Sequence, residues 1–158
     1  MATTETVINM VRRFSSDHRD DILEATRRVV ADILLGNGDN HLKNWSFWFP
    51  RPGAIRLSPA YDIVPTVLYQ PADTMALSFV KTHSFETVNL HRFERVATFL
   101  RLDPKLILGE VRKAVTLALE TWPSVVPHLL GEQKAARLLN RLDTLTLVEE
   151  IRGGAKGQ

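Results

Sequence analysis

Hydrophobic positions fall into helical periods toward both ends of the chain and into a two-residue alternation between them. Ile22, Leu23, Val29, Val30, Ile33 and Leu34 share one helical face, because side chains three and four positions apart stack on the same side. Asp21 with Glu24 three later reads as a capping box for this helix. Gly36-Asn37 suits its C-cap, since both residues tolerate left-handed backbone. Upstream, Met1–Ser15 carries Val7, Ile8 and Val11 beside Arg12 and Arg13, which fits either a short helix or an irregular start.

Trp45 to Phe49 alternates with aromatic side chains, and Ile55 to Ser58 reads as a partner strand. Pro50-Arg51-Pro52-Gly53 supplies turn chemistry between them. Trp45, Phe47 and Phe49 are expected to face the core. Pro59 and Pro65 bracket a fixed loop around Tyr61-Asp62. Met75 to Val80 reads as a strand after an exposed loop containing Pro71, Asp73 and Thr74, and Lys81 as a surface lysine.

Helical spacing then returns. Asn89 caps a helix carrying Leu90, Phe93, Val96, Ala97 and Leu100. Asp103-Pro104 is an N-cap followed by proline at the first helical position, opening a helix that runs to Trp122. Pro123 and Pro127 are expected to break the chain. Gly131 to Ile151 forms one last stripe through Ala135, Leu138, Leu139, Leu142, Leu145 and Val148, with a frayed glycine-rich tail beyond. The fold class expected is mostly α with a short β-hairpin.

Composition narrows the function classes. With 158 residues, 44% of them hydrophobic, the chain suits one globular domain, with an ordered core expected over about residues 16–151. Absence of cysteine excludes disulfides and thiolate zinc sites. His18, His83, His91 and His128 lack metal-ligand spacing, which argues against a zinc hydrolase. A net charge of +2 without a basic run gives no reason to expect direct nucleic-acid binding. No stretch reads as a signal peptide or membrane helix, so a cytoplasmic location without membrane contact is expected.

The chemistry concentrates between Leu35 and Asp62. Asp39, His41 and Asn44 crowd a loop between a helix end and a strand start, and Asp62 follows the second strand. Phosphoryl transfer asks for such a set: a carboxylate to orient the acceptor hydroxyl, and hard oxygen ligands for Mg²⁺ beside the phosphates. Asp39 to Asn44 gives a D-x-x-x-x-N step, and Asp62 gives a separate carboxylate beyond the hairpin. In isolation Asp39 would be a turn residue, Asn44 a strand-edge cap and Asp62 an Asx-turn. Their joint spacing favours Asp39 as general base and Asn44 and Asp62 as metal ligands. His41 serves either the chemistry or the loop backbone, and Lys43 either faces a phosphate or solvent.

G-N-G-D-N-H-L-K-N-W-S followed by L-S-P-A-Y-D-I-V-P-T resembles the C-terminal lobe of HipA-type serine/threonine kinases, the toxin half of bacterial toxin–antitoxin modules. The D-x-H-x-x-N order is also similar to phosphoinositide-type kinases. The resemblance implies a protein-kinase-like C-lobe with catalytic Asp39 and His41, cofactor-binding Asn44, Lys43 and Asp62, and Mg²⁺ and ATP as cofactors. It further implies a helix-turn-helix antitoxin as partner and an aminoacyl-tRNA synthetase as protein substrate. Only thirty-eight residues precede Asp39; they read as helix and hold no G-x-G-x-x-G. The expectation is therefore a C-lobe without its N-lobe: a fragment, a truncated product or one subunit of a split kinase. Such a chain would bind ATP weakly and need an N-terminal lobe or subunit for activity. The alternative is a non-catalytic interaction module, a decayed lobe that binds an antitoxin or partner subunit.

Overall fold

A computed structural model describes residues 2–155. Six helices and one small hairpin follow in the order α1 (Thr4–Phe14), α2 (His18–Leu35), β1 (Phe47–Trp48), β2 (Arg56–Leu57), α3 (Leu90–Phe99), α4 (Pro104–Leu130), α5 (Glu132–Leu142) and α6 (Thr146–Ala155). Short 3-10 turns occupy Leu42–Asn44 and Thr66–Leu68. The mostly α architecture with a β-hairpin is as the apolar pattern predicts.

Helix α2 is the axis. It packs on α1 along one side and on the long α4 along another, and α3, α5 and α6 pack against α4. Of the predicted stripe, Ile22, Val29, Val30, Ile33 and Leu34 are buried and Leu23 is half-buried, with Ala25 joining them in the core. Val7, Ile8 and Val11 are also buried, so the packed core starts at α1 rather than near residue 16. The N-terminal stretch resolves in favour of a helix because Thr3 and Thr6 form a reciprocal capping box. Asn89 and Asp103 cap α3 and α4 as expected, their side chains accepting from Arg92 N and Lys105 N.

Several expectations are corrected. Asp21 does not cap α2; Asp17 does, accepting from Asp20 N. Asp21 is instead buried within the helix, where its carboxylate accepts from Ser15 Oγ (2.6 Å), Leu57 N (2.7 Å) and Arg56 Nη2 (2.8 Å). Phe49 is 72% exposed because β1 ends at Trp48, and the alternation lapses into the turn. Trp45 and Phe47 do pack against the core.

Met75–Val80 forms no strand. Its backbone makes only two isolated bridges, Ser78 to Thr3 and Phe79 to Thr82, the second across a bend with positive φ at Val80 and Lys81. Met75, Leu77, Phe79 and Val80 are nonetheless buried, so the run was apolar for packing and not for pairing. Pro123 and Pro127 lie inside α4, which does not break. Each removes a helix bond at a cost of about 3 kcal/mol, but Trp122, Val126 and Leu130 are needed on one face against Leu68, Ala135 and Leu138. The stripe from Gly131 to Ile151 divides at Asp143–Leu145 into α5 and α6. Gly153 and Gly154 belong to α6, while the remainder of the tail, 156–158, lies outside the described residues.

Asp21 fastens the hairpin to α2. Burial alone would raise its carboxyl pKa, but Arg56, Ser15 and the Leu57 amide overcome burial and hold it below its ordinary value of 3.8. A depressed carboxylate contributes stability that is present above that ordinary value and is lost as pH falls through the folded one. Asp21→Asn is therefore expected to cost about 1–3 kcal/mol at pH 7, because an amide cannot accept from Arg56, Ser15 and Leu57 N together and leaves a buried donor without a partner. Urea denaturation across the acid range should also show a shallower loss of stability below about pH 4 in the variant than in the wild type.

Candidate active site

The site begins where α2 ends. Gly36 takes φ +72°, and a Cβ there would lie 2.5 Å from Val67 Cγ2, so both conformation and space require glycine. The amides of Gly36 and Asn37 each donate to the Asp32 carbonyl at 2.8 Å. From the neighbouring helix α5, Arg141 Nη1 donates to the terminal carbonyls of Ile33 (2.9 Å) and Leu34 (2.8 Å). These bonds close the helix and aim the chain away from it.

Asn37 then connects three parts of the site. Its side-chain oxygen accepts from Asp39 N at 3.2 Å. Its amide donates to Asp32 Oδ1 at 2.7 Å and reaches the Asp62 carbonyl at 3.3 Å. The loop closes on itself through His41 N to Asp39 O (2.8 Å) and Asn44 N to His41 O (3.0 Å). Buried Asn44 turns its Nδ2 onto the Asp39 carbonyl at 3.0 Å. That orientation leaves its side-chain oxygen as an acceptor.

Asp39 and Asp62 enter these bonds through their main chains, which leaves both carboxylates at the surface. The Asp39 side chain is 69% exposed, and its closest ionisable neighbour is His41, with Nε2 3.9 Å from Oδ1. The other His41 ring nitrogen is buried without a partner among the described residues. Asp62 holds a left-handed φ of +60°, which Asp tolerates better than most residues. Lys43 projects an exposed side chain and takes part only through its carbonyl, which accepts from the Tyr61 hydroxyl at 2.8 Å.

The fold thus gathers Asp39, His41, Lys43 and Asn44 in one turn and ties Asp62 to it through Asn37 and, one residue earlier, through Tyr61. Sequence patterns had not singled out Asp32, Asn37, Asn40, Tyr61 or Thr66 as parts of the site's scaffold. Asp32 offered one signal, a charge within the apolar run of α2. Burial pushes its carboxyl up to about 7, against the pull of Asn37, Arg28 and Asn40. Thr66 offered none. Its hydroxyl accepts from Gly38 N (2.7 Å) and lies 2.5 Å from Asp73 Oδ2, contacts formed across 28 and 7 positions of sequence.

Residues 1–122 match the family described as the HipA-like C-terminal domain. The chain belongs to that family. It is 34% identical over 125 residues to "Putative kinase Y4dM" of Sinorhizobium fredii, covering 78% of this chain and 30% of that protein. A "Putative kinase" of Haemophilus influenzae is 34% identical over 65 residues, 41% of this chain and 19% of its own length. Among solved structures, the Shewanella oneidensis MR-1 HipA, HipB and operator DNA complex contains a chain that superposes with a TM-score of 0.76. That match is 16% identical and covers 96% of this chain and 38% of the other, so it speaks for the fold. The HipA-like domain described here spans about a third of the length of these fuller matches.

Among the described residues no three His, Cys, Asp or Glu side chains gather into a ready-made metal cluster. What the loops offer a hard cation is the Asn44 side-chain oxygen and the Asp62 carboxylate. Oxygens of this type are the kind Mg²⁺ takes, one or two from the protein with water and substrate phosphates completing its shell.

Packing around Gly38 gives a direct check of this geometry. A Cβ at Gly38 would lie 2.1 Å from Asp73 Oδ2, the oxygen that binds Thr66. Gly38→Ala should force Asp73 off Thr66 and cost about 1–3 kcal/mol in chemical denaturation. Gly53→Ala, where nothing lies within 4 Å but φ is +77°, should cost only the smaller conformational strain.

Proposed function

We propose that this HipA-like domain is the catalytic part of a serine/threonine protein kinase that passes the γ-phosphoryl group of ATP to a protein hydroxyl. The observation that carries the reading is the split use of each loop residue. Main chains and Asn44 Nδ2 hold the loop, while the Asp39 carboxylate, the Asn44 oxygen and the Asp62 carboxylate are left for an external partner. Packing alone gives no reason to leave that set unspent beside a buried polar scaffold.

In this reading Asp39 orients the acceptor hydroxyl and takes its proton as the hydroxyl oxygen attacks the γ-phosphorus and ADP departs. Asn44 and Asp62 hold Mg²⁺, which neutralises charge on the phosphate oxygens when bound. His41 lies beside Asp39 and either holds the loop backbone or meets a phosphate, and Lys43 is available to the nucleotide phosphates. The remaining contacts to ATP come from an N-terminal lobe, so this chain alone binds Mg²⁺–ATP weakly. A helix-turn-helix antitoxin is the proposed partner, a reading supported by the solved relative being a complex of HipA with HipB. An aminoacyl-tRNA synthetase is the proposed protein substrate.

Two measurements test the proposal. Joined to the N-terminal part of a full-length relative, in trans or by fusion, the chain should phosphorylate a protein serine or threonine in a radiolabelled-ATP assay. Asp39→Asn should lower that rate by roughly 10²–10⁴-fold, with Asp62→Asn comparably severe and His41→Asn milder. Near-wild-type activity of Asp39→Asn would overturn the assignment of the loop, and a silent wild type would favour a non-catalytic interaction module. Calorimetry on the chain alone should show weak Mg²⁺–ATP binding, and low-micromolar affinity would contradict the dependence on a second lobe.

A further inference from the structure

We infer that Asp32, which touches none of the reacting groups, is the positioning residue of the catalytic loop, holding Asn37 and Asn40 so that Asp39 is presented between them. The inference rests on the kinase reading only for its catalytic consequence; the structural part stands by itself.

Asp32 is 6% exposed and sits one turn before the end of α2. Its Oδ1 accepts from Asn37 Nδ2 at 2.7 Å, and its Oδ2 accepts from Asn40 Nδ2. Neither amide is free to turn over. Asn37 must keep its oxygen toward Asp39 N at 3.2 Å, and Asn40 must keep its oxygen toward Trp45 Nε1 at 2.7 Å. Both nitrogens are thereby committed to position 32, which has to supply an acceptor at each of two oxygens. A carboxylate does this, and an amide of the same shape cannot.

The consequence is a clamp on the loop. Asn37 and Asn40 are fixed at the two ends of the segment that contains Gly38 and Asp39, and Asn37 also reaches the Asp62 carbonyl. Trp45 extends the same chain of bonds to the start of the hairpin, with the Arg28 guanidinium 5.9 Å from its ring. One buried carboxylate therefore sets the direction of a loop whose chemical group is exposed. Among the described residues the Asp39 carboxylate makes no hydrogen bond, and His41 lies 3.9 Å away, so its placement depends on the backbone beneath it.

The pairing rule makes the inference testable by a swap. Asp32→Asn places an NH₂ against one committed donor, and either the Asp39 amide, which reports the Asn37 bond, or the Trp45 indole N–H, which reports the Asn40 bond, should exchange with solvent about tenfold faster. Amides in the middle of α4 should keep their protection. The double variant Asp32→Asn/Asn40→Asp restores every pair. The amide nitrogen introduced at position 32 donates to the carboxylate introduced at position 40, which still accepts from Trp45, while the amide oxygen at position 32 accepts from Asn37. Loop protection should return to the wild-type level in the double variant. Hydrogen exchange followed by NMR on the full chain reads both.

Unchanged exchange of both the Asp39 amide and the Trp45 indole N–H in Asp32→Asn, or no recovery in the swap, overturns the clamp. Should Asp32→Asn alone fail to fold, the swap decides: a folded protein with a protected loop supports the clamp, and an unfolded one overturns it. In the kinase assay the single variant should lower kcat about tenfold, and the swap should recover it. If Asp39→Asn proves harmless while the exchange pattern holds, the kinase reading fails and the clamp remains.

Discussion

Everything in this molecule that bears on chemistry depends on how one helix stops. At Gly36 the chain must leave α2 with a left-handed backbone, in a space that Val67 has already filled to within 2.5 Å of where a side chain would start. The last carbonyls of the helix are not left to water but are held by Arg141 from α5. Burial lowers the pKa of this guanidinium, yet an arginine remains charged under such conditions, which suits it to a desolvated helix end. Its contact with the ring of Phe85, at 5.0 Å, joins that end to a buried side chain of the loop before α3. The helical lobe behind the site is what makes the helix terminus rigid.

From that point the polar groups divide into two populations. Asp32, Asn37, the Asn44 Nδ2 and the Thr66–Asp73 pair are spent on one another and on the backbone, forming a connected network beneath the loop. Asp39, Lys43 and Asp62 carry their side chains outward. A buried network of this kind is stable only when every member is satisfied, and the two oxygens of Asp32 illustrate the constraint. The bonded scaffold lies below, and the exposed carboxylates of Asp39 and Asp62 lie above it.

The hairpin is too short to be stable by its own pairing, with two residues in each strand. Long-range polar bonds hold it down instead. Asp21 accepts from the Leu57 amide and from Arg56, and Arg28 donates to the Ser58 carbonyl at 2.6 Å. Asp21 and Arg28 both come from α2, so the helix that carries the loop also fixes the strand leading toward Asp62. The registry between the two halves of the site is set by one element.

What the sequence by itself determined was everything carried by local chemistry and periodicity. The apolar stripe of α2, the caps at Asn89 and Asp103, the glycine stop at Gly36 and the Asp39-to-Asn44 spacing all depend on residues within a few positions of one another. Tertiary structure decided whatever required a distant partner. Asp21 looked like a cap because its partners, Arg56 and Leu57, lie 35 and 36 positions away. Pro123 and Pro127 looked like breaks because the packing of Trp122 and Val126 that outweighs them involves Leu68 and α5. Met75–Val80 looked like a strand because burial and strand pairing select the same apolar residues. At the candidate site, spacing drew attention to Asp39, Asn44 and Asp62, whereas the groups that hold their loop were not legible, since a hydrogen bond such as Gly38 to Thr66 leaves no periodic trace in the chain that forms it.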